Sequence, residues 1–179
     1  MSQIITTDTP QDTTNPDNTL HTLSVYVNNK AGVLMRITQV FARRGFNIDS
    51  LVVSQSRDTR YSRMTIGITG SSNGREQIIK QVTKLIDVIH CQEHSTSNAI
   101  VKEMLLIKFL VDAKDRTEAL QIIDHFGGKS LDLTPVAMTA MITGDPDKID
   151  AAINMLAFFK IVETVRTGKV VIARGDSPT

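Results

Sequence analysis

One order of segments runs twice along this chain: alternating strand, amphipathic helix, two more strands, second helix, closing strand. In the first pass Leu23, Val25 and Val27 alternate with Thr22, Ser24 and Tyr26, the period of a half-buried strand. Val33, Ile37, Val40 and Phe41 then recur at helical spacing, with Arg36, Gln39, Arg43 and Arg44 facing away, until Gly45 stops the helix. FNIDSLVVSQS predicts a second strand, RDTR a hairpin connection, and YSRMTIGIT a third strand with Met64, Ile66 and Ile68 on one face. After SSNG comes a helix whose expected apolar face is Ile78, Val82, Leu85 and Ile86, and VIHCQEHS closes the unit.

The second pass follows STSN. Leu105, Ile107, Phe109 and Val111 mark a strand, and Ala119, Leu120, Ile123 and Phe126 mark a helix ended by Gly127 and Gly128. Leu131 and Leu133 fall on a short strand, and Val136, Met138, Ala140 and Ile142 on the next. Asp145 as N-cap and Pro146 at the first helical position start a helix with the stripe Ile149, Ile153 and Leu156. Final strands lie on either side of Thr167-Gly168. The pattern predicts an α+β protein of two ferredoxin-like βαββαβ units with antiparallel sheets, over 20–96 and 102–176, joined by a linker at 97–101. A length of 179 residues with 41% apolar residues suits two such units of about 75 to 80 residues each. A four-stranded sheet covered on one side only leaves a face and its edges unsatisfied, so oligomerisation is expected.

Composition narrows the partners. A formal net charge of +1 gives no argument for nucleic acid, an anionic membrane or a strongly charged substrate. The single Cys91 rules out an intramolecular disulfide framework and suits a reducing, cytoplasmic setting. Residues 1–19 contain Asp8, Asp12 and Asp17 but no Lys or Arg, unlike a secretory signal or a transit peptide, and read as a disordered polar tail.

The chemistry most visible in the sequence lies in the loop from Asn29 to Leu34. Gly32 permits a left-handed backbone or a close approach, and the first N–H groups of the helix, at Gly32, Val33 and Leu34, lack intrahelical partners. Such a helix start favours a carboxylate, Asn29 can add an amide donor, and Asn47 with the backbone at Ile48 can accept from an ammonium group. A plain cap for Asn29 and a plain turn for Gly32 fit the same residues. His90 and His94, four residues apart on a strand, stand about 13 Å apart with Cys91 on the opposite face, so one tetrahedral ion cannot join them. His125 suits the C-terminal end of its helix as a charge partner. No Gly-x-Ser-x-Gly elbow, Walker loop or dinucleotide fingerprint occurs, and Thr167-Gly168-Lys169 lacks the upstream glycine of a phosphate loop. Arg43 and Arg44, and Arg57, Arg60 and Arg63, form two small basic clusters that are either solvated or turned toward a partner protein or acidic ligand.

HTLSVYVNNKAGVLMRITQVFARRGFNIDSLVV followed by YSRMTI resembles the N-terminal ACT domain of the small regulatory subunits of acetolactate synthase, also called acetohydroxyacid synthase. KLIDVIHC, VKEMLLIKF and KIVETVRTGKVVIARG extend that resemblance over nearly all of residues 20 to 176. It implies a noncatalytic homodimer that binds and activates a separate catalytic (large) subunit and confers feedback inhibition by a branched-chain amino acid, usually valine. It places thiamine diphosphate, magnesium and FAD in that catalytic subunit, with no cofactor, catalytic residue or metal site in this chain. By motif position it assigns Asn29, Gly32, Val33 and Leu34 to the effector site of one protomer and Asn47 and Ile48 to the same site from its neighbour. Asn28 and Met35 depart from the residues most usual there, an acidic one and a small polar one. A free-standing tandem ACT sensor that regulates another enzyme or a transcription factor is the alternative reading.

Overall fold

The computed structural model describes residues 19–70, 72–176 and 179, so all but the last position of the expected polar tail lies outside the described residues. The first unit runs β1 (Thr19–Asn28), α1 (Val33–Arg43), β2 (Asn47–Gln55), β3 (Tyr61–Gly70), α2 (Ser72–Thr83) and β4 (Val88–His94). Its strands are hydrogen-bonded in the order β2-β3-β1-β4, all neighbours antiparallel. The second unit runs β5 (Ala99–Leu110), α3 (Arg116–His125), β6 (Lys129–Leu133), β7 (Ala137–Gly144), α4 (Pro146–Leu156), β8 (Lys160–Arg166) and β9 (Val170–Ala173). Its order β6-β7-β5-β8 repeats the first, with β9 also paired to β5.

Each sheet turns its apolar face to its two helices. Leu23, Val25, Val27, Met64, Ile66 and Ile68 meet Val33, Ile37, Phe41, Ile78 and Val82 in one core. Leu105, Ile107, Phe109, Met138, Ala140 and Ile142 meet Ala119, Ile123, Ile149, Ala152 and Leu156 in the other. A fully buried side chain of this size contributes about 1.5–3 kcal/mol, so each unit owns an independent source of stability. Gly45 takes φ +72° just past α1, the left-handed turn that ends a helix.

Local patterning misses three features. The second helix ends at Thr83, and Leu85 and Ile86 fall in a tight turn in which Leu85 is half-buried and Ile86 is 94% exposed, not on the helix's buried face. Asp145 caps α4 by backbone position only, because its carboxylate accepts from Lys102 Nζ at 2.8 Å. The strands around Gly168 do not fold back on each other: both pair with β5, β8 along Leu105–Leu110 and β9 along Ala99–Lys102. Thr167 bridges the step, its backbone N–H donating to Met104 O and its hydroxyl accepting from Met104 N–H.

The two-stranded ribbon formed by β9 and the start of β5 has a small apolar cluster of its own, in which Ala99, Val101 and Val171 are buried. The turn beside it rests on the first sheet. Gly168 (φ +79°) lies so close to β2 that a Cβ there would come within 2.8 Å of Ser50 Cβ. Thr22, Ser24, Thr65 and His94, all on the face of the first sheet away from its helices, are buried within the single chain. That face is therefore partly covered from inside the molecule, and the unsatisfied features of the first sheet are its two edges, β2, bonded to β3, and β4, bonded to β1. Gly168→Ala imposes both left-handed strain and the clash, and is expected to destabilise the protein by about 1–3 kcal/mol in urea titration. A loss below a few tenths of a kcal/mol contradicts this seat.

Candidate functional site

The loop between β1 and α1 is built by backbone bonds. Asn29 N–H donates to Arg60 O at 2.7 Å, Asn28 N–H to Asp87 O at 2.9 Å, and Lys30 N–H to Asn28 O at 3.0 Å. Asn29 Nδ2 donates to Thr59 O at 3.0 Å, so this amide ties the loop to the β2–β3 turn with one of its hydrogens and keeps another, and its Oδ1, for other work. Gly32 is the N-cap of α1 at φ +79°, with no side chain satisfying the helix start. Val33 N–H reaches Lys30 O at 3.4 Å, a long bond, and the side chain of Val33 is buried in the core, so only its backbone faces the loop. Leu34 is 38% and Met35 65% exposed. No acidic residue occupies the first turn, which leaves the positive end of the helix dipole uncompensated by its own helix.

Two charged residues join these positions that periodicity alone assigns to the surface. Arg36 Nη1 stands 3.3 Å from where a Gly32 Cβ would be, and Arg36 Nη2 donates to Asp87 Oδ2 at 2.5 Å. A guanidinium thus overhangs the helix start. At the other station, Asn47 Nδ2 donates to Asp49 Oδ1 at 2.8 Å and Thr69 Oγ1 donates to Asp49 Oδ2 at 2.5 Å. The strand pairing shifts between Ile48 and Ser50, and Asp49 lies in that irregularity. The spacing Asn-Ile-Asp, two polar residues flanking an apolar one, was the available sequence signal. Ile48 is half-buried against the first core.

The register separates the two stations. Asn28 pairs with Tyr61 and Asn47 with Thr69, positions eight residues apart on β3, about 27 Å at the antiparallel rise of ~3.4 Å per residue. Within one chain the helix start and Asn47 lie at opposite ends of the sheet. One carries unpaired donors and a guanidinium; the other carries an amide oxygen and a carboxylate.

The remaining titratable groups are placed otherwise. Cys91 faces the core, where burial pushes its thiol up to about 12, while its strand neighbours His90 and His94 pair with Tyr26 and Thr22 on the opposite face. His125 ends α3 with its ring edge-on to Phe126 at 5.1 Å. Among the described residues no three His, Cys, Asp or Glu side chains come together as a metal site, and no helix is long and apolar enough to cross a membrane.

Residues 23–90 match the family model for the AHAS small subunit-like ACT domain, and residues 102–175 match that for the small subunit of acetolactate synthase. The acetolactate synthase small subunit of Mycolicibacterium smegmatis is 39% identical over 155 residues, covering 87% of this chain and 91% of that protein. A probable acetolactate synthase small subunit of Methanothermobacter thermautotrophicus is 38% identical over 157 residues, covering 87% and 94%. The crystal structure of the acetolactate synthase small subunit from Thermotoga maritima superposes with a TM-score of 0.81 at 36% identity, covering 89% of this chain and 99% of that one.

Proposed function

The chain belongs to the acetolactate synthase small-subunit family and is a regulatory subunit of that enzyme, and we propose that it makes the enzyme sensitive to a branched-chain amino acid, valine first, bound between two copies of itself. The register carries this reading. Donors for a carboxylate and acceptors for an ammonium group lie about 27 Å apart in one chain, too far for one α-amino acid. The open edge of β2 lets a second copy pair antiparallel, and a two-fold axis there sets the Asn47 end of one chain against the α1 start of the other.

In that arrangement the effector carboxylate takes the free N–H groups around Gly32 and Leu34 with the Arg36 guanidinium nearby. Its ammonium takes Asn47 Oδ1 and the Asp49 carboxylate of the other copy, and its branched side chain lies against Leu34 and Ile48. Charge-assisted hydrogen bonds of this kind are worth roughly 1.5 to 3 kcal/mol each before ordering costs. Inhibition requires the ligand to favour one arrangement of the assembly over another, by about 1 to 3 kcal/mol.

The bond-making chemistry then belongs to the catalytic subunit, in the cytoplasm, with thiamine diphosphate, magnesium and FAD held there; this chain supplies binding, activation and the effector response. The test is to add this protein to its own organism's catalytic subunit and titrate valine, leucine and isoleucine. Activity rises on addition and falls with at least one of the three. Activation with no inhibition by any of them removes the effector proposal.

A further inference from the structure

We propose that Asp87 is a positioning residue of the effector site: it holds the Arg36 guanidinium over the start of α1, so that the fork is already aimed when the effector carboxylate arrives. Two carboxylate side chains are buried among the described residues, Asp87 and Glu103. Glu103 is taken up by Arg166 inside the second unit. Asp87 is 8% exposed and meets the effector loop instead.

Local structure puts it there. The chain turns tightly after α2, with Leu85 N–H donating to Val82 O and Val88 N–H to Leu85 O. Leu85 packs against the first core and Val88 begins β4 as a buried residue, so Asp87 stays inside beside Ile86, which the same turn leaves 94% exposed. Asp87 then grips the site twice. Its carbonyl accepts from Asn28 N–H at 2.9 Å, at the end of β1, and its Oδ2 accepts from Arg36 Nη2 at 2.5 Å. Arg36 lies four residues after Gly32, and a helical side chain leans back over the turn that precedes it. Its Nη1 accordingly stands 3.3 Å from where a Gly32 Cβ would be. One arm of the fork is held by Asp87, and the other faces the helix start with its hydrogens available to a carboxylate.

Asp87 acts on the ligand in two opposed ways. Anchoring the guanidinium removes in advance the rotamer freedom that a loose arginine would lose on binding, worth up to roughly 30-fold in affinity. A second carboxylate on the same cation also repels the incoming one. Arg36 is 48% exposed, and between partly solvated charges on opposite sides of a guanidinium that repulsion is worth roughly threefold. Positioning therefore outweighs repulsion.

The role presupposes an amino-acid effector bound at this loop, and a pair of ligands tests the role apart from the effector reading. L-Valine and L-valinamide, which carries a neutral amide in place of the carboxylate, are titrated into full-length wild-type, Asp87→Ala, Asp87→Asn and Asp150→Asn proteins. Asp150→Asn alters a comparable arginine partner in the second unit. Asp87→Ala should weaken valine binding about tenfold or more, while Asp87→Asn, which keeps an acceptor for Arg36 and loses the repulsion, stays within about threefold of wild type and Asp150→Asn changes little. Valinamide binding should stay within about twofold in every variant, which also reports an intact fold. Wild-type valine affinity in Asp87→Ala overturns the proposal. So does an equal loss of valine and valinamide, which would give Asp87 a purely architectural role in the loop, and so does a loss in Asp87→Asn as large as that in Asp87→Ala. Wild-type protein that binds neither ligand removes the effector reading itself, and the positioning role with it.

Discussion

Gly32→Asp is expected to abolish calorimetric valine binding and the valine response of the complex while leaving activation of the catalytic subunit within about twofold. Three effects act together. The residue takes φ +79°, where a side chain is strained by roughly 1–3 kcal/mol unless it is Asn or Asp, which pay less. The new carboxylate stands beside Arg36 Nη1, 3.3 Å from the substituted Cβ, and pairs with the guanidinium in the ligand's place. It also reaches the N–H groups of the first turn and caps them. Losing one charge-assisted bond costs about 1.5–3 kcal/mol, or roughly 10- to 150-fold in affinity, and added repulsion between carboxylates takes the loss further. Asn29→Ala should act in the same direction but less strongly, because its amide already serves Thr59 and the loop must also be reorganised. Normal valine binding in both variants places the effector elsewhere.

Phe109→Ala carries the largest expected stability effect. Phe109 is fully buried in the second core and stacked on Phe159 with ring centroids 5.3 Å apart. Removing an aromatic ring from such a site costs about 3–5 kcal/mol through lost transfer energy and the remaining cavity. Stability of a small domain is commonly 5–15 kcal/mol, so urea unfolding should shift to much lower denaturant. The first unit has a separate core, and its own transition should move far less. A loss below about 1.5 kcal/mol would mean that the second core collapses around the vacancy.

Much of the fold was legible because burial follows period. The alternation of Leu23, Val25 and Val27, and the helical spacing of Val33, Ile37 and Phe41, identify faces that the structure buries completely or nearly so. What escaped was set by contacts distant in sequence. Ile86 continues the helical spacing after Val82, but the chain has already turned toward β4 and leaves it in solvent. No local pattern could show that β8 and β9 share one partner strand, or that Gly168 would be needed against Ser50. At the candidate site, Asn29, Gly32 and Asn47 stood out because Asn and Gly mark the ends of elements. Arg36 and Asp49 did not, because charged residues on exposed faces are ordinarily solvated, and only the folded chain brings a guanidinium over Gly32 and a carboxylate against Asn47.

The central claim, that the effector site is shared between two chains, is tested most directly by complementation. Gly32→Asp and Asn47→Ala proteins, each unable to bind valine alone, are co-expressed so that dimers form at random. A mixed dimer has one site damaged from both sides and one made of an intact Gly32 and an intact Asn47. Calorimetry on the mixture should recover about a quarter of the wild-type number of valine sites, at wild-type affinity. Recovery of none, with mixed dimers shown to be present, contradicts a site built from two chains.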